Sequence, residues 1–159
     1  MIKNKNYNYK EIFSLKNNKI IILGGSGNLG KNFSKSLTSA GAKIILGDLK
    51  KTNLANKIIY KYCDVSKKKS LEFFFNTTIK KEKKINTLIY NVYSKPKNYY
   101  KKFENYDDAT WEDVLETNLT GAYRACKIMI NHFKKNKIKG NIILILSTYG
   151  IVGPDLSIY

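Results

Sequence analysis

Apolar residues follow two alternating periods along the chain. Short continuous apolar runs, typical of strands buried on both faces, occupy residues 19–24, 42–47, 58–62, 86–90 and 141–146. Longer segments in which apolar residues recur every three or four positions, as on one face of a helix, occupy residues 29–40, 66–80 and 119–135, with a weak helix ending near 57 and another beginning near 110. The alternation predicts an α/β fold, namely a three-layer, doubly wound parallel sheet of about five strands.

The residues at the ends of these segments indicate where the helices begin and end. Gly41 follows the first helical segment in the place of a C-cap, and Ser66 stands in the place of an N-cap at the next. Thr110-Trp-Glu-Asp113 has the pattern of a capping box, with Thr110 as the cap. The polar, tyrosine-rich stretch 94–108 is expected to be a long loop, and such loops in compact domains are usually functional.

A glycine-rich segment, Leu23-Gly-Gly-Ser-Gly-Asn-Leu-Gly30, joins the first predicted strand to the first predicted helix. Glycines at such a junction permit a sharp turn and bring backbone N–H groups against a pyrophosphate, which the helix N-terminus also attracts. The expected cofactor-binding residues of this loop are Gly24, Ser26, Gly27, Asn28, Leu29 and Gly30. An ordinary strand-to-helix turn is the alternative interpretation, and the strand before it and the helix after it argue against it.

An acidic residue, Asp48, follows the second predicted strand, 18 residues after Gly30. Dinucleotide-binding folds place an acid at about 20 residues from the loop, where its carboxylate accepts hydrogen bonds from the adenosine ribose and repels a 2′-phosphate. Asp48 therefore favours NAD(H) over NADP(H). Lys50 and Lys51 could tolerate a 2′-phosphate, so NADP(H) stays an alternative cofactor. The other interpretation of Asp48 is an acidic residue in a simple turn.

The glycine loop resembles the T-G-x-x-x-G-x-G loop of the short-chain dehydrogenase/reductase family, with Gly24 and Gly30 at matching positions. Leu23 replaces the threonine and Asn28 the middle glycine, a change that asparagine tolerates because it also enters the left-handed region. The resemblance covers nearly all of the chain after Leu15. It implies a Rossmann-type fold, an NAD(P) cofactor, hydride transfer at an alcohol, carbonyl or sugar-like substrate, and a homo-oligomeric full-length form.

Further segments match the same family. Asp64-Val65 resembles the end of its third strand, where the aspartate meets the adenine, and Asn91 the asparagine that shapes the nucleotide pocket after the fourth. Asn118 matches an asparagine of the family's proton relay, and Ser147 the serine that hydrogen-bonds the substrate carbonyl. These two residues are the expected catalytic residues. The alternatives are a helix-side cap for Asp64 and a helix-bending buried asparagine for Asn118.

The family's chemistry also needs a tyrosine acid/base and a lysine four residues later that lowers the tyrosine pKa. Tyr159 is 12 residues after Ser147 and ends the sequence. Segments 91–103 and 147–159 are most similar to a branch found in bacterial surface-sugar pathways, including nonulosonate synthesis, in which the catalytic Tyr-x-x-x-Lys follows later. A complete doubly wound sheet would need on the order of 90 further residues. We therefore expect a truncated form that lacks dehydrogenase activity alone and associates through a bare edge strand.

Length and composition limit the possible classes of protein. The 159 residues are 43% hydrophobic and 26% charged, enough for one globular domain with a core. We expect residues 1–14 to be a mobile N-terminal arm and residues 15–159 to form a truncated NAD(P)-binding domain. No apolar run reaches the roughly 18 residues of a membrane-spanning helix, and the first ten residues lack a signal peptide's apolar stretch. The expectation is a cytoplasmic protein without a membrane partner.

The net charge of +17, from 29 Lys+Arg against 12 Asp+Glu, is typical of proteins that bind nucleic acid. Arg124 is the only arginine, however, and base readout and phosphate clamps favour arginine over lysine. A nucleic-acid binder is thus the weaker hypothesis, beside a non-catalytic module that binds a dinucleotide or a partner. Cys63 and Cys126 lack metal-ligand spacing, and His132 is the only histidine, so we expect inert core thiols and no metal site.

Overall fold

Five short apolar runs form the strands of one parallel sheet in the computed structural model, which describes residues 9–53 and 58–153. The strands are β1 (Lys19–Leu23), β2 (Lys43–Asp48), β3 (Ile58–Tyr62), β4 (Thr87–Tyr90) and β5 (Asn141–Leu144), in the order β3-β2-β1-β4-β5. The helices are α1 (Tyr9–Ile12), α2 (Asn28–Ser39), α3 (Lys68–Glu82), α4 (Asp108–Leu115) and α5 (Gly121–Lys135). The strand order reverses between β1 and β4, so the carboxyl ends of these strands border a crevice suited to a ligand.

Alternate side chains of the strands enter two separate cores, one on each face of the sheet. On one face, Phe74 and Phe75 of α3 and Met129 of α5 pack with strand residues such as Ile45. On the opposite face, Phe33 of α2 packs against the other set of strand residues. Because β-strand side chains alternate between faces, a run of consecutive apolar residues fills both cores. The doubly wound α/β fold predicted from the sequence is confirmed.

A buried carboxylate ties the amino ends of two strands to the end of α3. Glu82 is the last residue of α3, and its side chain is only 4% exposed. Lys43 Nζ lies 2.8 Å from both carboxylate oxygens, and Lys19 Nζ lies 3.1 Å from Oε2. Burial would by itself raise the pKa of Glu82, but the hydrogen bonds from the two lysines outweigh it and hold the pKa below its usual value.

β3 and β5 are the two edge strands of the sheet, and within the described residues β5 pairs with β4 alone. β5 is also shorter than predicted, since regular pairing ends at Leu144 rather than near residue 146. Ile143, Leu144 and Ile145 all remain substantially exposed. The expectation of a bare edge strand with exposed apolar side chains is therefore met in the described part of the chain.

Two of the predicted helix caps are wrong. Asp107, not Thr110, caps α4, because the Asp107 side chain accepts a hydrogen bond from the Thr110 backbone N–H at 2.9 Å. Ser66 precedes the N-cap Lys67 of α3 and instead gives both its N–H and its hydroxyl to Asp64. A short polar side chain near a helix start can serve an adjacent turn as well as the helix, which the spacing alone does not reveal.

The predicted helix 119–135 begins as a regular α-helix only at residue 121. Residues Glu116–Thr120 form a π-helical segment, and the regular helix begins at Gly121. The predicted C-cap is confirmed, because Gly41 follows α2 with φ +101°. The weak helix predicted to end near residue 57 is not observed up to residue 53. Residues 54–57 lie outside the described residues.

Within the predicted arm 1–14, Tyr9–Ile12 form the single helical turn α1, and residues 1–8 lie outside the described part. The boundary between arm and domain stays a prediction. Within residues 9–53 and 58–153, no helix has the length and apolar character needed to cross a membrane.

Candidate dinucleotide-binding site

The loop after β1 is packed too closely for a side chain at three glycines: Gly25 lies against the Leu46 side chain, and Gly24 and Gly30 lie against other backbone atoms. Gly24 has φ +74°, and a Cβ there would lie 2.5 Å from the Asn91 carbonyl oxygen. At Gly30, in the first turn of α2, a Cβ would lie 2.5 Å from the Gly25 Cα. These contacts draw the start of α2 against the loop and fix its direction.

Gly27 is different, because neither its backbone nor its packing requires glycine. It is the N-cap of α2, with φ −73°, and no described side chain caps the helix at this end. A Cβ on Gly27 would meet nothing closer than the Gly24 carbonyl oxygen at 3.9 Å. The helix N-terminus therefore faces open space with its first N–H groups, an arrangement suited to an anion that approaches the backbone closely.

A cleft of about 830 Å³ opens at this edge of the sheet. It contains eight of the predicted site residues: Gly24, Gly27, Asn28, Leu29, Asp48, Asp64, Val65 and Asn91. These residues come from the ends of β1, β2, β3 and β4, which the parallel topology brings to one edge. The structure thus brings together most of the residues that the sequence assigned to a cofactor. Ser26, Gly30, Asn118 and Ser147 do not line the cleft.

Backbone donors hold the Asp48 carboxylate in place. The Ser26 N–H donates to Asp48 Oδ2 at 2.9 Å, and the Lys50 N–H donates to Oδ1 at 3.3 Å. The Ser26 hydroxyl in turn donates to the Lys50 carbonyl oxygen at 2.6 Å. Ser26, although it does not line the cleft, therefore links the glycine loop to the turn after β2 and orients the acid that does.

Asp64 is positioned by a local turn at the start of α3. Its Oδ1 accepts hydrogen bonds from the Ser66 N–H at 3.0 Å and from the Ser66 hydroxyl at 2.7 Å. Cys63 is buried beside it without a disulfide, and burial raises the pKa of the thiol to about 12. That thiol stays protonated near neutral pH, as expected for an inert core cysteine, and Cys126 is also free.

Asn91 locks the end of β4 to the glycine loop. Its side-chain amide donates to the Gly24 carbonyl oxygen at 3.0 Å, and its backbone N–H donates to the Leu23 carbonyl oxygen at 2.9 Å. Tyr90, immediately before it, is buried, and its hydroxyl donates to the Thr117 carbonyl oxygen in the π-helical segment. The end of β4 is thereby linked to the π-helical segment Glu116–Thr120.

Asn118 lies in the π-helical segment and holds the backbone of the β4–α4 loop. Its Oδ1 accepts a hydrogen bond from the Ser94 N–H at 2.8 Å, and its amide donates to the Ser94 carbonyl oxygen at 3.4 Å. A π-helical turn displaces one residue from the regular helical register and is frequent at functional sites. The side chain orients the loop that borders the cleft, and its part in a proton relay stays a prediction.

Ser147 follows β5 at the same edge of the sheet but does not line the cleft. It is exposed, and its hydroxyl accepts a hydrogen bond from the Tyr149 N–H at 3.2 Å, as the cap of the short 3₁₀ turn Thr148–Gly150. Its place beside the end of β4 follows from the pairing of Ile145 N–H with the Tyr90 carbonyl oxygen at 2.9 Å. Tyr159 lies outside the described residues.

Sequence reasoning missed several residues that line the cleft: Leu49, Ser66, Lys67, Val92, Tyr93, Ser94, Lys95, Asp113 and Thr117. Most of them directly follow a strand or belong to the helix after the β4–α4 loop. The rule that ligands bind beyond the carboxyl ends of parallel strands would have indicated the former group. Asp113 belongs to the capping-box pattern 110–113, which indicates no role at a cleft, and long-range packing brings Asp113 of α4 and Thr117 of the π-helical segment to this site.

Comparison with known proteins supports the same fold and family. The chain is 22% identical over 140 residues to the L-fucose dehydrogenase of Oryctolagus cuniculus, covering 84% of this chain and 48% of that protein. It is 26% identical over 145 residues to the 3-oxoacyl-(acyl-carrier-protein) reductase of Chlamydia pneumoniae, covering 85% of this chain and 57% of that protein. The chain thus spans about half the length of the curated relatives it matches.

Among solved structures, the short chain dehydrogenase from Leptospira borgpetersenii with bound NAD⁺ superimposes with a TM-score of 0.82. The two sequences are 23% identical, and the match covers 96% of this chain and 59% of that one. This likeness shows the fold. The short chain dehydrogenase family itself matches residues 18–159, and the chain therefore belongs to that family.

Proposed function

We propose that the cleft binds NAD(H) and that the protein is an NAD-dependent oxidoreductase acting on a sugar-like alcohol or carbonyl substrate. The observation that carries the proposal is Gly27. Its conformation and its surroundings would accept a side chain, yet it lies in the cleft at the uncapped N-terminus of α2. A pyrophosphate approaching the backbone there accounts for the glycine, as it does in other dinucleotide-binding loops.

Each part of the dinucleotide has residues of suitable chemistry at the cleft. The first N–H groups of α2, at Asn28 and Leu29, suit the pyrophosphate, and the carboxylate of Asp48 suits the hydroxyls of the adenosine ribose. Asp64 and Val65, at the end of β3, suit the adenine. NAD, when bound, accepts or supplies the hydride; the protein's residues orient it and the substrate.

The surroundings of Asp48 favour NAD(H) over NADP(H). The carboxylate is fixed by two backbone N–H groups and lines the cleft, so that a 2′-phosphate would meet a negative charge that cannot move away. Lys50 and Lys51, which left NADP(H) open in the sequence, do not line the cleft. The preference thus rests on the geometry of the turn after β2 and not on the acid alone.

Ser147 and Asn118 are proposed to act at the substrate side. The hydroxyl of Ser147 would hydrogen-bond the oxygen of the reacting carbonyl, and Asn118 would support the path of the accompanying proton. In the described residues Ser147 is exposed and outside the cleft. We therefore expect the 159-residue chain to bind NAD(H) without turnover, and expect hydride transfer only where further polypeptide organises this edge.

Two observations support a sugar-like substrate. An L-fucose dehydrogenase is among the relatives, and the loop segments 91–103 and 147–159 resemble a bacterial surface-sugar branch of the family. Both supports favour a sugar or sugar derivative. A non-catalytic dinucleotide-binding module is the alternative, and an active completed protein would rule it out.

The experiment is a calorimetric titration of the 159-residue chain with NADH and NADPH. Asp48→Asn should weaken NADH binding by about tenfold, the effect of losing a charged hydrogen-bond partner, and should narrow the preference over NADPH. Glu104→Gln, which removes an acid that does not line the cleft, is the matched control and should change neither affinity. Equal affinities for the two cofactors before and after Asp48→Asn would contradict the proposed role.

A further inference from the structure

A lysine at the cleft has no acidic partner. Lys95 lines the cleft from the β4–α4 loop, and within the described residues no carboxylate lies in salt-bridge distance of it. Its Nζ lies instead 4.7 Å from the ring centroid of Tyr100 and 5.8 Å from that of Tyr93. Aromatic faces hold a cation without neutralising its charge, so Lys95 keeps its full charge for a ligand.

The aromatic residues that hold this lysine form a packed cluster. The rings of Tyr93 and Tyr99 meet edge to face with centroids 5.9 Å apart, and those of Tyr99 and Tyr100 do so at 5.1 Å. Tyr93 itself lines the cleft and is largely exposed. A rigid ring with an exposed face at a binding cleft suits the apolar face of a sugar ring as well as a planar group.

Hydrogen bonds fix the loop at both ends of this cluster. Asn118 binds the backbone N–H of Ser94, immediately before Lys95, at 2.8 Å. The side chain of Asn98 donates to Asp107 Oδ2 at 2.9 Å, which ties the loop to the start of α4. The lysine and its tyrosines are therefore presented from an anchored segment and not from a free loop tip.

Lys95 follows β4, so it lies at the substrate side of the cleft and away from the proposed adenosine subsite. The glycine loop and Asp48 follow β1 and β2, whereas Ser147 follows β5, the strand next to β4. Among the described residues that line the cleft on this side, the other charged group is Asp113, whose carboxylate accepts a hydrogen bond from the Ser94 hydroxyl at 3.2 Å. That contact leaves Lys95 as the cation available to an anionic group beside the reacting centre.

We propose that Lys95, held by Tyr93 and Tyr100, recognises a carboxylate or phosphate group of the substrate, so that the substrate is an acidic sugar-like molecule. The inference rests on the proposed function, because it takes the β4–β5 side of the cleft as the substrate side. A single charge-assisted hydrogen bond of this kind gives about tenfold in affinity.

The test uses the 159-residue chain saturated with NAD⁺ and three probes: galactose, galacturonate and galactose 6-phosphate. Binding is measured by saturation-transfer NMR at low and moderate salt, and NAD⁺ affinity is measured separately by calorimetry. We expect at least one of the two anionic sugars to bind about tenfold tighter than galactose, with a preference that weakens as salt increases. Which of the two binds distinguishes a carboxylate from a phosphate.

Three variants assign the effect to Lys95. Lys95→Gln should abolish the preference for the anionic sugar, and Lys95→Arg should keep most of it. Lys97→Gln is the matched control, because Lys97 belongs to the same loop and is exposed but does not line the cleft. NAD⁺ affinity should stay the same in all three variants.

Several results would overturn the inference. These are equal or absent binding of all three sugars to the unaltered chain, a preference that survives Lys95→Gln, or a loss of NAD⁺ affinity in Lys95→Gln, which would assign the lysine to the cofactor. Failure of the unaltered chain to bind NAD⁺ at all would instead contradict the proposed function. The sugar titrations would then test Lys95 in the chain without cofactor.

Discussion

β1 and β5 are both short apolar strands of one parallel sheet, but they differ in how well they are covered. β1 pairs with β2 on one side and β4 on the other, and residues 20–23 are all buried. β5 pairs with β4, and within the described part of the chain its other side has no neighbour; only Ile142 packs against a core. An apolar run therefore predicts a strand in both cases, but the run alone does not distinguish the covered strand β1 from the edge strand β5.

This difference divides the cleft as well. The proposed cofactor side follows β1, β2 and β3, of which β1 and β2 lie between two packed cores and β3 is the half-buried edge strand beside β2. The Ser147 side follows β5, where the sheet is open within the described residues. Cofactor binding is therefore expected in this chain, whereas the chemistry proposed at Ser147 depends on an edge strand whose side chains remain exposed in the described residues.

The largest expected effect comes from deleting equivalent side chains in the two regions. Ile45 of β2 is 1% exposed and belongs to a core, whereas Ile143 of β5 is 45% exposed. Ile45→Ala should lower the free energy of unfolding by about 2–5 kcal/mol, because it leaves a cavity, and Ile143→Ala by less than about 1 kcal/mol. Urea unfolding measures both values. Equal losses would show that β5 is as well covered as β2.

A smaller effect is expected from glycine replacement in the loop. Gly24→Ala forces a Cβ to within 2.5 Å of the Asn91 carbonyl oxygen at a positive φ, and should cost about 1–3 kcal/mol. Gly27→Ala meets no close atom, so it should leave stability within about 0.5 kcal/mol while it weakens NADH binding. Thermal unfolding and NADH titration separate the two. A large stability loss in Gly27→Ala would remove the argument that a ligand requires this glycine.

The fold was predictable because its signals are local. The buried runs and the 3.6-residue periods located all five strands and the main helices, and the predicted glycine loop proves to line the cleft. The misplaced caps at Ser66 and Thr110 show the limit, because a nearby aspartate changes what each residue does: Asp107 takes the cap of α4, and Asp64 accepts hydrogen bonds from Ser66 in the turn before α3. Which of these contacts forms depends on the path of the preceding loop.

The proposed substrate side was much less predictable. Lys95 and Tyr93 lie in segment 91–103, whose resemblance to a branch of the family assigns them no role, and their contact with Tyr100 depends on the fold of the β4–α4 loop. The π-helical form of Glu116–Thr120 was not predicted either. Tertiary contacts, such as that of Asn118 with the Ser94 N–H, determine both features.

A pH dependence is expected from the well-packed region. His132 is buried, and its Nε2 accepts a hydrogen bond from the Ile85 N–H at 3.2 Å; burial lowers the pKa of the ring. Because the unfolded chain binds the proton more readily, stability should fall as the pH drops below about 6.5, with a slope of at most about 1.4 kcal/mol per pH unit. His132→Gln keeps an acceptor and should remove this slope between pH 7 and the carboxylate range. An unchanged slope in urea unfolding would assign the titration elsewhere.

The smallest expected effect tests whether the cofactor side owes its selectivity to packing or to the acid alone. Ser26→Ala removes the hydroxyl that donates to the Lys50 carbonyl oxygen but keeps the N–H that donates to Asp48. Losing one exposed hydrogen bond should cost no more than about 1 kcal/mol of stability. The turn after β2 should gain freedom, so that Asp48 can retreat from a 2′-phosphate and the ratio of NADH to NADPH affinity should fall a few-fold. Ser36→Ala, at an exposed position of α2, is the control and should leave the ratio unchanged. If Ser26→Ala also leaves it unchanged in calorimetry, the carboxylate alone determines the cofactor preference.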